Sequence, residues 1–169
     1  SSAASDVYKR QEEEAEAWLG LGYANYFRGV EKQKIDKVQA APFYEEARLA
    51  WEKALRLDSG DPAVRISLGT LHWKLGGLVD GAGDKCEAYT ESIQRFTQAT
   101  DRFNLREQDD ADVAFTHRTI GQVTYLLRNC ARDVDDTKYL ARTDVFRQSV
   151  EAYERALGLD PSVPKYHQM

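Results

Sequence analysis

The stretch WEKALRLD at residues 51–58 returns near the end of the chain as YERALGLD at residues 153–160. In both copies an aromatic residue is followed three positions later by Ala, and two Leu residues precede an Asp. Apolar residues at this spacing lie on one face of a helix, and charged residues cover the other face. Each copy therefore predicts the last turns of an amphipathic helix, and its recurrence indicates a repeat architecture.

A second pattern occurs three times and places an apolar residue before a Gly and an aromatic residue four positions after it. The segments are WLGLGYANYFRG (18–29), RISLGTLHWKLG (65–76) and HRTIGQVTYLLR (117–128), and their Gly residues are Gly22, Gly69 and Gly121. Gly costs about 1 kcal/mol relative to Ala inside a helix. Its recurrence at one position therefore predicts the close approach of a neighbouring helix.

Each of these helices is followed by a second predicted helix, over residues 43–57, 88–100 and 145–158. In the second helices a small residue precedes an aromatic residue and then an Ala, as in Ala47-Trp51-Ala54, Ser92-Phe96-Ala99 and Ser149-Tyr153-Ala156. Pro42 lies just before one of these helices and Pro62 lies near the start of another helix, where a missing N–H group is tolerated. The chain is thus predicted to form six helices in three antiparallel pairs, without strands.

These spacings, with the Trp-x-x-Leu-Gly of AEAWLGLG (15–22) and the Asp-Pro of LGLDP (157–161), resemble the tetratricopeptide repeat. That repeat is a helix–turn–helix of about 34 residues. The resemblance implies an all-α fold, a right-handed α-solenoid of three antiparallel helix pairs, over residues 15–161. Residues 162–169 would form a tail or a partial capping helix.

Residues 1–14 are expected to be disordered or artefactual, because SSAASDVYKRQ (1–11) has no role in the repeat pattern and is similar to a translated sequencing adapter. A targeting signal therefore cannot be judged, and the localisation stays open.

The chain departs from the family pattern by additional residues between the paired helices, at roughly 30–43, 77–87 and 129–145, and by a further insertion in 101–113. Such insertions emerge on one edge of a solenoid. They are expected either to form loops or to lengthen the flanking helices. EKQKIDKVQ (31–39) is compatible with a helix, whereas GGLVDGAGD (76–84) contains Gly breakers and predicts a loop.

Composition and spacing argue against several functions. The net charge of −5 disfavours nucleic acid as the main partner, and no apolar run is long enough to span a membrane. Cys86 and Cys130 are too few for a disulfide framework and lack metal-ligand spacing, so each is expected to be a buried or idle thiol. The His residues share no nucleophile or ligand pattern. We therefore predict no catalytic residue, no metal site and no cofactor.

The resemblance implies that the first helix of each pair lines a concave groove. The matching residues are Tyr23, Tyr26, Phe27, Thr70, Trp73, Lys74, Arg118, Gln122 and Tyr125. Aromatic residues with an Arg and a few polar groups are typical of protein-binding surfaces. Tyr26, Trp73 and Tyr125 are equally compatible with packing between repeats, because aromatic residues at helical spacing often belong to the core.

The resemblance implies a non-catalytic protein–protein interaction module. A structural or scaffold subunit of a larger complex is favoured, because the short tail leaves the last helix without a full cap. A transient peptide-binding adaptor and a repeat fragment of an enzyme remain as alternatives. The carboxylate clamp by which some members hold chaperone tails is not expected, because its Lys, Asn and Arg are replaced. The matching positions hold Leu19, Tyr23, Ser67, Phe115 and Thr119.

Overall fold

The structure is a computed structural model that describes residues 2–58, 60–103, 110–134 and 145–159. Six α-helices and no strand lie in these ranges: α1 (Ser2–Gln33), α2 (Lys37–Leu57), α3 (Pro62–Leu78), α4 (Ala82–Thr100), α5 (Asp110–Asp133) and α6 (Val145–Leu159). The prediction of an all-α fold is confirmed. The chain divides into two compact units, Ser1–Leu71 and His72–Met169.

In the first unit, α1 and α2 pack along each other as an antiparallel hairpin. They approach closely where Gly22 of α1 faces Trp51 of α2, because a Cβ atom at Gly22 would overlap the indole ring. The same arrangement recurs at Gly29, where an added Cβ atom would lie 2.7 Å from Cε1 of Tyr44. The prediction that Gly22 permits close helix packing is confirmed.

The two aromatic rings of α2 are buried and hydrogen bonded. Trp51 is 1% exposed, and its Nε1–H donates to the carbonyl oxygen of Leu19 over 3.1 Å. The Tyr44 hydroxyl donates to Oε1 of Gln33 over 2.6 Å. Burial, followed by the nearby Tyr26, raises the pKa of Tyr44 to about 12, so this hydroxyl keeps its proton at neutral pH. Both rings therefore hold α2 to α1.

The start of α2 differs from the prediction. The Asp36 side chain caps the helix by accepting a hydrogen bond of 2.8 Å from the N–H of Val38. Pro42 therefore lies inside α2 and not before it, so this prediction was wrong. Pro42 has no N–H for the helical bond to the carbonyl of residue 38, and the helix continues without it. Pro62, in contrast, begins α3 as predicted.

The first two insertions lengthen the helices. Between α1 and α2 only residues 34–36 are non-helical, and between α3 and α4 only residues 79–81 are non-helical. The prediction of a loop over 76–84 was therefore wrong for most of the segment. Gly76 is helical because it faces the ring of Tyr89, and this packing outweighs the cost of a Gly in a helix. The other two insertions extend outside the described residues.

In the second unit, α4 packs against α5 and α5 packs against α6. The buried cluster between α4 and α5 consists of Cys86, Tyr89, Val123, Leu127, Cys130 and Ala131. The predicted positions Ser92, Phe96 and Ala99 of α4 are fully buried, as is Ala156 of α6. The small and aromatic residues of the second helices thus form core contacts, as their spacing predicted.

Residues 2–14, for which the sequence predicted disorder or an artefact, are helical in the structure as the first turns of α1. All of them are exposed, and Ala15 is the first buried residue. Ala and Glu have high helix propensity, and this segment extends a helix that is already nucleated by packing. The predicted tail, 162–169, lies outside the described residues.

Candidate protein-binding site

The predicted groove residues of α1 divide into exposed and packed side chains. Tyr23 and Phe27 lie one helical turn apart and are 39% and 60% exposed. Tyr26 is half-buried, with its ring centroid 5.7 Å from that of Trp51 and 5.8 Å from that of Tyr44. Burial raises the pKa of Tyr26. Tyr23 and Phe27 are therefore open to a partner, whereas Tyr26 mainly supports the hairpin.

Tyr23 is held in place from two sides. Its ring packs edge-on against Trp51 at a centroid distance of 5.4 Å, and its hydroxyl shares a hydrogen bond of 2.9 Å with the Ser67 hydroxyl of α3. A ring fixed in this way loses little freedom when a partner covers it. Thr70 is less available, because it is half-buried and its hydroxyl donates to the Ile66 carbonyl over 2.9 Å.

A cleft of about 170 Å³ opens on the first unit, beside the N-terminal half of α1. Its lining combines four carboxylates with three apolar side chains, and the residues are Glu12, Glu16, Asp58, Asp61, Ala15, Leu19 and Val64. The sequence did not predict this cleft, because Asp58, Asp61 and Val64 are far from the Glu residues of α1 in the chain. The available signal was the run of Glu residues at 12–14 and 16.

The remaining predicted groove residues belong to the second unit. Trp73 packs against the buried cluster of this unit, which agrees with the core interpretation of that residue. The Arg118 guanidinium lies 5.6 Å from the ring centroid of Phe115 on the same helix. The others are half-buried Lys74, half-buried Tyr125 and exposed Gln122. Arg118 and Gln122 thus remain accessible candidates for a contact.

Cys86 of α4 and Cys130 of α5 form a disulfide, with their Cα atoms 5.8 Å apart. Both cysteines are buried, as expected, but the expectation that they are thiols was wrong, because they are bonded to each other. The two residues are 44 positions apart in the sequence. They meet because Cys86 lies near the beginning of α4 and Cys130 near the end of the antiparallel α5. The bond joins one end of this helix pair inside the buried cluster.

His117 of α5 is a half-buried titratable group. Its Nδ1 atom is buried and has no hydrogen-bond partner within the part of the chain that the structure describes. Burial, followed by the positive charge of Arg155 on α6, lowers the pKa of His117 below its ordinary value of 6.5. The folded chain therefore favours neutral His117.

We expect the second unit to lose stability as the pH falls below 6.5, the ordinary pKa of His117. Above this pH the imidazole is neutral in both states, whereas below it the unfolded chain takes up a proton that the folded chain resists. Urea unfolding at neutral pH and at mildly acidic pH measures the effect. His117→Gln should reduce the loss, and the matched control is His72→Gln, which changes a half-buried His of α3 in the same unit. An equal loss in wild type and His117→Gln would contradict the prediction.

None of the described helices is long and apolar enough to cross a membrane. Within the same residues, no group of three or more His, Cys, Asp or Glu side chains could hold a metal ion.

Antiparallel helix pairs with short turns and a recurring contact between Gly and an aromatic ring define a helical-hairpin repeat protein. Residues 39–96, which cover most of α2, all of α3 and most of α4, match the family model of the tetratricopeptide repeat. This match and the all-helical fold support a tetratricopeptide-type repeat protein. No curated protein matches the chain. Repeats of this family serve in general as protein–protein interaction modules and are generally non-catalytic.

Proposed function

We propose that the chain is a structural or scaffold subunit that docks onto other proteins of a larger complex, without catalytic function. The observation that carries this proposal is the end of the α1–α2 hairpin, where Ile35 is 78% exposed and Val38 is 72% exposed. Two large apolar side chains, close in the chain and both open to water, favour a surface that a partner covers. We call Ile35 and Val38 the hairpin tip.

The helix ends next to the hairpin tip are well packed, so the tip is an ordered surface on which a partner can dock. Gly29 faces Tyr44, and the Tyr44 hydroxyl is bonded to Gln33, the last residue of α1. The Arg28 guanidinium lies 4.6 Å from the ring centroid of Phe43. A surface that is already ordered binds with a smaller loss of conformational entropy than a loop that must first be fixed.

The test is affinity purification of the full-length protein, followed by sizing and mass spectrometry of what co-elutes. Wild type should co-elute with partner proteins in stoichiometric amounts, in a particle larger than the chain. Ile35→Ser combined with Val38→Ser should release it as a small species with unchanged helical content, because the apolar contact is lost. The matched control is Leu21→Ser combined with Leu49→Ser, which removes exposed apolar side chains elsewhere on the same hairpin.

Two outcomes would contradict the proposal. Recovery of the wild type alone would exclude a stable complex. An assembly that survives the changes at the hairpin tip would show that another surface makes the contact.

A second candidate function is a transient adaptor that binds a peptide along α1. The exposure of Phe27 and the fixed position of Tyr23 favour it. It differs from the scaffold function in its contact surface, because Tyr23 and Phe27 do not belong to the hairpin tip.

A further inference from the structure

We propose that the exposed face of α1 binds an extended, cationic peptide segment of a partner protein. A Lys or Arg side chain of the segment enters the acidic cleft, and an apolar side chain of the same segment packs on Phe27. The inference rests on the proposed interaction function and goes beyond it by specifying the chemistry of a partner.

The cleft and the exposed aromatic residues lie on one continuous helix face. Glu12, Glu16, Leu19, Tyr23 and Phe27 follow one another at intervals of three or four residues, which places them on the same side of α1. With a rise of 1.5 Å per residue, the cleft residue Leu19 and Phe27 are about 12 Å apart along the helix axis. About four residues of extended chain cover this distance.

The charge of the cleft selects a cation. Four carboxylates contribute to its lining, and no Lys or Arg is among the described residues that line it. Glu12 and Glu16 form no ion pair with any described residue, so their charge is available to a partner. A cation between carboxylates in a partly enclosed cleft is attracted more strongly than at an open surface. An anionic segment would be repelled for the same reason.

The remaining lining suits the stem of a long cationic side chain. Asp58 accepts a hydrogen bond of 3.0 Å from the Gly60 N–H, and Asp61 accepts one of 2.9 Å from the Ala63 N–H. These bonds hold two of the carboxylates in place. The apolar side chains that complete the cleft can cover the methylene groups of Lys or Arg.

Binding can be measured by fluorescence anisotropy with three matched mixtures of short peptides. In the first mixture every peptide has an Arg and a Leu at fixed positions, separated by three positions of varied sequence. In the second mixture Gln replaces this Arg, and in the third Glu replaces it. We expect the Arg mixture to bind at least about tenfold more tightly than the Glu mixture, with affinity that decreases as salt is added.

Variants of α1 test the two halves of the surface. Glu12→Gln combined with Glu16→Gln should weaken binding of the Arg mixture about tenfold, whereas the control Glu13→Gln combined with Glu14→Gln should not. Phe27→Ala should weaken binding about tenfold by removing the apolar contact, and Leu21→Ala is its control. Equal binding of the Arg and Glu mixtures, no binding of the Arg mixture, or an unchanged affinity of the cleft variant would overturn the proposal.

The same variants separate this inference from the proposed function. If the cleft variant still assembles into the complex and the peptide mixtures do not discriminate by charge, the inference fails and the scaffold function stands. If wild type is recovered alone while the Arg mixture binds selectively, the scaffold function fails and the cationic peptide site stands.

Discussion

Replacing Gly22 with Ala should destabilise the chain by about 2–3 kcal/mol, whereas the same change at Gly20 should stabilise it by up to about 1 kcal/mol. A Cβ atom at Gly22 would overlap the Trp51 ring, but one at Gly20 would meet nothing within 4 Å. The Trp51 ring has little room to move, because it is 1% exposed and hydrogen bonded to Leu19. Both changes add one methyl group to α1. Opposite effects on the free energy of unfolding would therefore be due to the contact between Gly22 and Trp51.

Urea unfolding followed by far-ultraviolet circular dichroism measures both changes. Combining Gly22→Ala with Trp51→Phe adds a further test, because the smaller ring leaves room for the methyl group. The double variant should lose less stability than the sum of the two single variants. Stabilisation by both Gly22→Ala and Gly20→Ala would show that Trp51 does not pack against Gly22.

Reduction of the Cys86–Cys130 disulfide should destabilise the second unit by about 2–4 kcal/mol. The bond closes a loop across 44 positions of the sequence, so it restricts the unfolded chain strongly. It also joins the beginning of α4 to the end of α5 inside the buried cluster, where separation of the sulfur atoms would disturb the packing of Tyr89 and Leu127.

The measurement compares urea unfolding with and without a reductant. Cys86→Ala combined with Cys130→Ala is the control, because its stability should not respond to the reductant. Thiol labelling of the denatured chain provides a second readout and should find no free thiol before reduction. Two labelled thiols in the unreduced chain, or equal stability with and without the reductant, would contradict the prediction.

Features that depend on local spacing were predictable from the sequence. A Gly four residues before an aromatic residue identified the first helix of each pair. A small–aromatic–Ala triad identified the second helix, and all three residues of the triad Ala47-Trp51-Ala54 are buried. These patterns repeat with the helical period, so they identify both the helix and its buried face. The all-α fold and the role of Gly22 therefore followed without a structure.

Features that depend on competition between local and tertiary effects were predicted less well. Gly residues in 76–84 suggested a loop, but the contact between Gly76 and Tyr89 keeps the segment mostly helical. Pro42 suggested a helix start, but Asp36 caps the helix earlier. A contact with the neighbouring helix decided the first outcome, and a helix cap six residues before Pro42 decided the second.

The candidate site could be predicted only in part. Family positions identified Tyr23, Tyr26 and Phe27, but the sequence did not distinguish the exposed rings from the packed one. Tyr26 lies over Trp51 and Tyr44, while Phe27 points to solvent, although the two residues are adjacent. A rotation of about 100° per residue separates adjacent side chains on a helix, and the position of the second helix decides which of them is covered.

The sequence by itself determined that the chain forms paired amphipathic helices and which residues of these helices are buried. Each of these properties depends on residues that are a few positions apart in the sequence. Helical periodicity places such residues on the same face of a helix. Only the tertiary structure decided that Cys86 meets Cys130 and that Glu12 and Glu16 share a cleft with Asp58 and Asp61. These groups are distant in the chain, and the packing of the helices brings them together.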